Sequence, residues 1–278
     1  MSKANPTPAD LAILPRDRAF FRGETNRRHW QGGDPIATAF YNALSATFPL
    51  GERFFMDAVR NFAHLGDAKL KAGIAAFTTQ EAVHSREHVF FNNQVAAHGY
   101  DMAEMQARTR ARIDFARSRP PLAQLAATVA LEHFTAILAH AALSDPRHFA
   151  DAGDEARAMW TWHAIEEVEH KAVAFDTFML AAAGLSASRR WLLRASAMVF
   201  ATTTLLSTVM ANMTTMFRAD GIDNASTWLR VAGFLFGRPG IFRQVFIAYL
   251  SFYRPGFHPW EVDDRSLINL PEAALAMA

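Results

Sequence analysis

Two stretches of the chain repeat one spacing of carboxylate and imidazole. In TTQEAVHSREHVFF, Glu81 and His84 stand three residues apart, and His88 follows one turn later. In WTWHAIEEVEHKAVAF, Glu167 and His170 repeat that spacing, and His163 precedes Glu167 by four residues. On a helix these offsets bring each set to one face. A single Glu-x-x-His means little in a helical protein. Two copies gain weight from Glu132, the only Asp, Glu, Lys or Arg in PLAQLAATVALEHFTAILAHAALS. A carboxylate inside an apolar helix costs several kcal/mol unless a cation faces it. An Arg from another helix would serve, but the paired Glu-x-x-His motifs favour a metal.

A dinuclear carboxylate site in a four-helix bundle takes one Glu from each of two helices and a Glu-x-x-His from each of the other two. Along this chain the order is Glu52, then Glu81 with His84, then Glu132, then Glu167 with His170. Hard carboxylates with one imidazole per ion suit two iron ions, with manganese or a mixed manganese–iron pair as alternatives. Four carboxylates would neutralise two divalent cations, which lets an apolar bundle hold them. The individual assignments differ in strength. Glu52 follows Pro49-Leu50-Gly51, so the pattern alone also allows an acid favoured at a helix N-terminus. Glu166 lies within a turn of His163 and His170 and competes with Glu167; the repeated spacing favours Glu167. His88 reads either as a ligand or as a hydrogen-bond partner to one. Glu87 and Glu169 face off the site, and Glu169 is expected in solvent. His133 and His140 share a face next to that of Glu132 and read as core or supporting residues. His29, His64, His98 and His148 belong to no constellation.

These side chains need long helices to hold them, and the pattern supplies them. Apolar residues recur every three or four positions from Pro35 to about Ala183, with no alternating β-branched run. Helices are predicted over 36–47, 52–64, 67–97, 102–117, 121–143 and 152–183, with a break at Phe48-Pro49-Leu50-Gly51. The fold class is therefore all-α, an antiparallel bundle. Residues 1–34 read as an irregular arm, 35–185 as the metal-binding bundle and 186–278 as an apolar helical extension. Between Arg194 and Arg218 the chain is uncharged and as long as the roughly 20 residues that cross a bilayer. Its many Thr residues and the aromatic stretch over 231–253 favour a helix packed on the bundle or on a membrane face.

Composition narrows the classes further. The chain has 278 residues, 51% of them hydrophobic, with 28 Lys+Arg against 27 Asp+Glu and no Cys. A net charge of +1 offers no basic face for nucleic acid. Without Cys there are no disulfides, thiolate metal sites or cysteine nucleophiles, so any metal ligands are imidazoles and carboxylates. The first twenty residues carry charges and prolines where a signal peptide needs an apolar run, which predicts a cytoplasmic location, with peripheral membrane contact as the variant.

The ligand pattern resembles the ferritin-like diiron carboxylate superfamily, which implies a ferritin-like four-helix bundle with additional C-terminal helices. The His-x3-Glu-x2-His run of His163, Glu167 and His170 resembles the p-aminobenzoate N-oxygenase branch, where a third histidine joins the usual two. Over roughly residues 36–260 the chain also resembles a bacterial family of predicted metal-dependent hydrolases, through FPLGERFF, QEAVHSREH, WHAIEEVEHK and YRPGFHPW. That resemblance raises Glu52 to a ligand. The set is then Glu52, Glu81, His84, Glu132, His163, Glu167 and His170.

Two activities follow. The first is a diiron oxidase or oxygenase that uses dioxygen to oxidise a small, hydrophobic organic substrate. The alternative is a dinuclear hydrolase whose metal-bound hydroxide attacks an ester, amide or phosphate. Iron storage fits poorly, since the apolar extension has no use there. A homodimer is a further expectation. Replacing Glu132 with Ala is expected to abolish metal binding and lower the melting temperature; full metal content in that variant would refute the assignment.

Overall fold

A computed structural model describes residues 7–23, 26–238 and 240–268 of the protein. It is all-α, 73% helical, and contains no strand among the described residues. Ten α-helices follow one another among the described residues: α1 (Pro35–Ser45), α2 (Phe48–Arg60), α3 (Ala68–Ala97), α4 (Met102–Arg117), α5 (Pro121–Ser144), α6 (Asp154–His170), α7 (Val173–Ala181), α8 (Ala187–Ala219), α9 (Ala225–Phe236) and α10 (Ile241–Ser251).

Local chemistry sets most of the boundaries. Asp34, Asp67, Asp101, Ser186 and Asn224 each accept a hydrogen bond from a first-turn amide of the following helix, which satisfies donors the helix leaves open. Two boundaries differ from the sequence reading. The break expected at 48–51 falls instead at Ala46-Thr47, and Pro49 sits in the first turn of α2, where its missing N–H is no loss. The helix expected over 152–183 divides after His170 without help from Gly or Pro. There Lys171, almost fully buried, directs its ammonium to Asp264 Oδ2 (2.5 Å) and the Val262 carbonyl (2.9 Å). A tertiary ion pair overrides local helix preference at that point.

Four helices close a ring: α2 packs on α3 and α5, and α6 packs on the same two. Along α3 the apolar residues Phe77 and Phe91, both fully buried, bracket Glu81, His84 and His88. The core has two large apolar clusters, one holding Phe54, Val59, Phe77 and Leu125 and the other Phe40, Phe91, Met159 and Trp162, and a small third around Ile165 and Val168. The polar layer lies between the two large clusters. Helix α8 packs against α5, α1 and α4, and α10 packs on α5. By length and composition α5 and α8 could each cross a membrane; 61% of the apolar window of α5 is buried inside the protein, against 28% for α8. The first figure marks α5 as a core helix, while α8 leaves Leu192, Val199 and Phe200 exposed.

The N-terminal arm has no helix in its described part, yet it is fastened along the ring. Arg16 reaches Glu169 Oε1 at 2.7 Å and Glu166 Oε1 at 3.3 Å. The amides of Leu14 and Arg16 donate to Glu169 and Glu166, and Phe20 N–H donates to Glu87 Oε2 at 2.7 Å, where Arg22 also binds. Glu87 and Glu169 are accordingly buried, at 0% and 2% exposure. The expectation that Glu169 is solvated is corrected: the arm covers that face and brings its own cations. Replacing Arg16 with Met is expected to destabilise the fold by about 3 kcal/mol, the lower end for breaking a buried ion pair, because backbone amides still serve both carboxylates. Equilibrium denaturation measures this, and an unchanged midpoint would contradict it.

Candidate metal centre

Each helix of the ring delivers donors to the same layer. Glu52 comes from the second turn of α2, Glu81, His84 and His88 from α3, Glu132 from α5, and His163, Glu166, Glu167 and His170 from α6. All are buried. Four overlapping groups have donor atoms within 4.8 Å of one another: Glu52–Glu81–His84, Glu81–Glu132–His170, His84–His163–Glu167 and Glu52–His88–His163. Glu81 is common to the first two, and His84 links the first to the third. The seven residues singled out by spacing and resemblance are therefore brought together in one layer.

Contacts within the layer are close. His170 Nε2 faces three carboxylates, Glu81 Oε1 at 3.3 Å, Glu167 Oε2 at 3.4 Å and Glu132 Oε2 at 3.5 Å. His163 Nε2 lies 2.8 Å from Glu167 Oε1. His84 Nε2 approaches Glu166 Oε2 at 3.0 Å, within ion-pair range but off the line of a hydrogen bond. The rings of His84 and His163 lie 4.1 Å apart, inclined by 30°.

The hydrogen bonds behind the histidines decide which nitrogen carries a proton. Asn92 donates its amide N–H to the Ser45 carbonyl at 3.0 Å, so its Oδ1 accepts the Ser45 hydroxyl at 2.7 Å. Ser45 Oγ then accepts from His88 Nδ1 at 2.8 Å. Burial and the neighbouring His163 hold the His88 pKa well below its usual value, so the ring is neutral and its Nε2 is bare. That nitrogen accepts from His163 Nδ1 at 2.6 Å, and His163 Nε2 faces Glu167 Oε1 at 2.8 Å. A second relay does the same for His170: Gln80 donates to Glu169 Oε2 at 2.8 Å, so its Oε1 accepts from His170 Nδ1 at 3.0 Å. His170 Nε2 is left facing the carboxylates. Fixing one ring nitrogen as a donor to present the other is how proteins orient imidazole ligands.

The layer is electrostatically incomplete. Both oxygens of Glu81 and of Glu132, Glu52 Oε1, Glu167 Oε2, His170 Nε2 and both nitrogens of His84 have no hydrogen-bond partner. Buried polar atoms rarely lack partners, and each orphan costs about 1–3 kcal/mol. Unpartnered carboxylate oxygens and imidazole lone pairs converging in one layer fit divalent cations. Without such cations, burial pushes the carboxyls of Glu52 and Glu132 well above the carboxylate range, with their charged neighbours adding to it, and raises Glu81. Burial also favours the neutral form of Glu167, but His170 and His163 beside it hold its pKa well below the usual value. Burial and His84 lower His163 to about 4.

Several contributors escaped the sequence reading. Asn92 stands one turn after His88 and was discoverable by that spacing, whereas Ser45, Ser85 (which donates to Glu52 Oε2 at 2.8 Å) and Gln80 carry no signal of their own. His88 has protein partners on both nitrogens, which favours the hydrogen-bonding alternative. Glu166 is buried against His84 and the arm. His133 donates to the Ala248 carbonyl and His140 pairs with Asp264, both away from the layer.

A pocket of about 140 Å³ reaches the layer along one side, lined mostly by apolar residues such as Leu44, Phe48, Phe55, Leu131 and Phe134. Of the seven donors, His163 and Glu167 line it.

The raised carboxyls have a consequence for pH. An acid whose pKa is raised in the folded protein keeps its proton above the usual 4.5, and a cation entering the layer must displace it. Metal uptake near pH 6 is therefore expected to release protons, and affinity is expected to rise with pH. Titrating the metal-free protein with Zn²⁺ in weakly buffered solution reads the release; uptake without proton release would contradict the assignment.

No curated protein and no solved structure matches the chain. The family model described as predicted metal-dependent hydrolase matches residues 14–263, nearly the whole sequence, and the chain belongs to that family.

Proposed function

We propose that Glu52, Glu81, His84, Glu132, His163, Glu167 and His170 hold two divalent metal ions, and that the protein hydrolyses an ester- or amide-type bond in an apolar substrate. One observation carries the reading: a buried set of carboxylates and imidazoles without partners opens through His163 and Glu167 onto an apolar pocket. Charge arithmetic supports it, since four carboxylates balance two divalent cations. The family description supports hydrolysis as the reaction. When bound, such ions polarise a carbonyl and lower the pKa of a bound water.

The protein's own groups have separable tasks. Glu52 and Glu81, each shared between two of the donor groups, would help hold the ions. The Asn92–Ser45–His88 and Glu169–Gln80 relays keep His163 and His170 turned inward. Glu167, held ionised by its histidine neighbours, presents a carboxylate to whatever enters the pocket. The apolar lining keeps bulk water away, which strengthens every charge interaction in the layer.

A second reading is dioxygen-dependent oxidation at two iron ions. It is favoured by the donor set itself, two Glu-x-x-His motifs on α3 and α6 facing single glutamates on α2 and α5, with His163 as a third imidazole. The resemblance to ferritin-like diiron proteins and to p-aminobenzoate N-oxygenase belongs to this reading.

One experiment separates the two. Metal content of the purified protein is measured together with turnover of 4-nitrophenyl octanoate under argon and in air. Metal-dependent cleavage under argon, lost in the Glu132→Ala variant, is the expected result. A protein that holds iron with a near-ultraviolet absorption band, leaves the ester intact and consumes dioxygen would overturn hydrolysis in favour of oxidation.

A further inference from the structure

The pocket that reaches His163 and Glu167 is apolar, but its solvent side is not. Among the described residues that line it, Arg112 alone is exposed, so the cavity meets water beside that guanidinium. Arg112 is also the only Lys or Arg in the lining. Its neighbours on α4 are differently disposed. Arg108 is tied to Glu104 and Arg117 to Asp57, whereas no carboxylate pairs with Arg112 among the described residues. Arg110, the other Arg nearby on α4, does not line the pocket. An always-charged fork of N–H donors thus stands unpaired where an apolar cavity opens.

We propose that the pocket takes an amphiphilic anion, with its carboxylate, sulfate or phosphate head at Arg112 and its apolar body between α2, α4, α5 and α8, directed toward Glu167. The inference rests on the reading that this pocket delivers the substrate. Both ends of such a ligand have a match. Apolar side chains such as Ile113, Phe55, Leu131 and Leu205 line the cavity, and transfer of a buried methylene contributes about 0.8 kcal/mol. With about 140 Å³ of space, the cavity has room for an alkyl chain, and an eight-carbon chain serves as the probe.

Octanoate and 1-octanol test the proposal, since they share a chain and differ in head charge. Their affinities are measured by calorimetry on the full-length, metal-loaded protein, with Trp160 emission as a second readout because that indole lines the pocket. Octanoate is expected to bind more tightly than octanol at low salt and to lose its advantage in 0.5 M NaCl. Arg112→Gln is expected to weaken octanoate about tenfold and leave octanol unchanged, and Arg112→Lys to recover part of the loss. Arg112 is exposed, so all variants are expected to melt alike. Octanoate affinity indifferent to Arg112→Gln would overturn the proposal, because the carboxylate would then be held elsewhere, at the metal layer included. Equal weakening of octanol would overturn it too. Failure of the hydrolysis test with the Arg112-dependent preference intact would refute the reaction and leave the ligand class standing.

Discussion

Four carboxylates that must be buried in one apolar layer are the constraint on which this structure depends. Taking a carboxylate out of water is costly enough that it either finds a cation or keeps a proton. Glu52, Glu81 and Glu132 form no Lys or Arg ion pair among the described residues; imidazoles stand opposite Glu81 and Glu132, and the Ser85 hydroxyl donates to Glu52. Everything around the layer reads as accommodation of that charge. Apolar clusters pack around it, and the ring α2–α3–α6–α5 gathers sequence positions far apart into a single cage of carboxylates and imidazoles.

Around the cage the protein distributes hydrogen bonds with one direction. Donation runs outward, from His163 through His88 and Ser45 to Asn92, and from His170 through Gln80 to Glu169. Carboxylates that are not part of the cage, Glu87, Glu166 and Glu169, are instead answered from outside by Arg16 and Arg22 of the arm. The layer is thus built so that inner acids lack cations and outer acids have them. This division assigns the vacancy in charge to the centre rather than to the protein as a whole.

How much of this could be read in the sequence follows from the range of each signal. The helices from α3 to α5 were legible because periodicity and Pro, Gly or Asp punctuation are local. Glu132 was legible because a lone charge in an apolar helix is anomalous without any knowledge of partners. The doubled Glu-x-x-His spacing identified α3 and α6 as facing helices. What failed to show depended on contacts made across the chain. Nothing near His170 announces that Lys171 will leave the helix to meet Asp264. Nothing near Glu169 announces that a residue more than 150 positions earlier will cover it. Helical-face reasoning sorted residues toward or away from the site, and it treated away as solvent. Here away meant toward the arm.

That arm has a kinetic meaning. The bonds from Leu14 and Arg16 to Glu166 and Glu169 span 150 to 155 residues, among the longest-range contacts in the protein, whereas α2 with α3 and α5 with α6 are neighbours in sequence. Loop closure over such separations comes late, after local pairings have formed. The ring can assemble first with Glu166 and Glu169 still open to water, and the arm then closes over α6. Since Glu169 orients Gln80, and Gln80 orients His170, the last segment to dock is the one that fixes the direction of a histidine at the centre. The arm thus completes, through Glu169 and Gln80, the orientation of a histidine that the later helices bring to the centre.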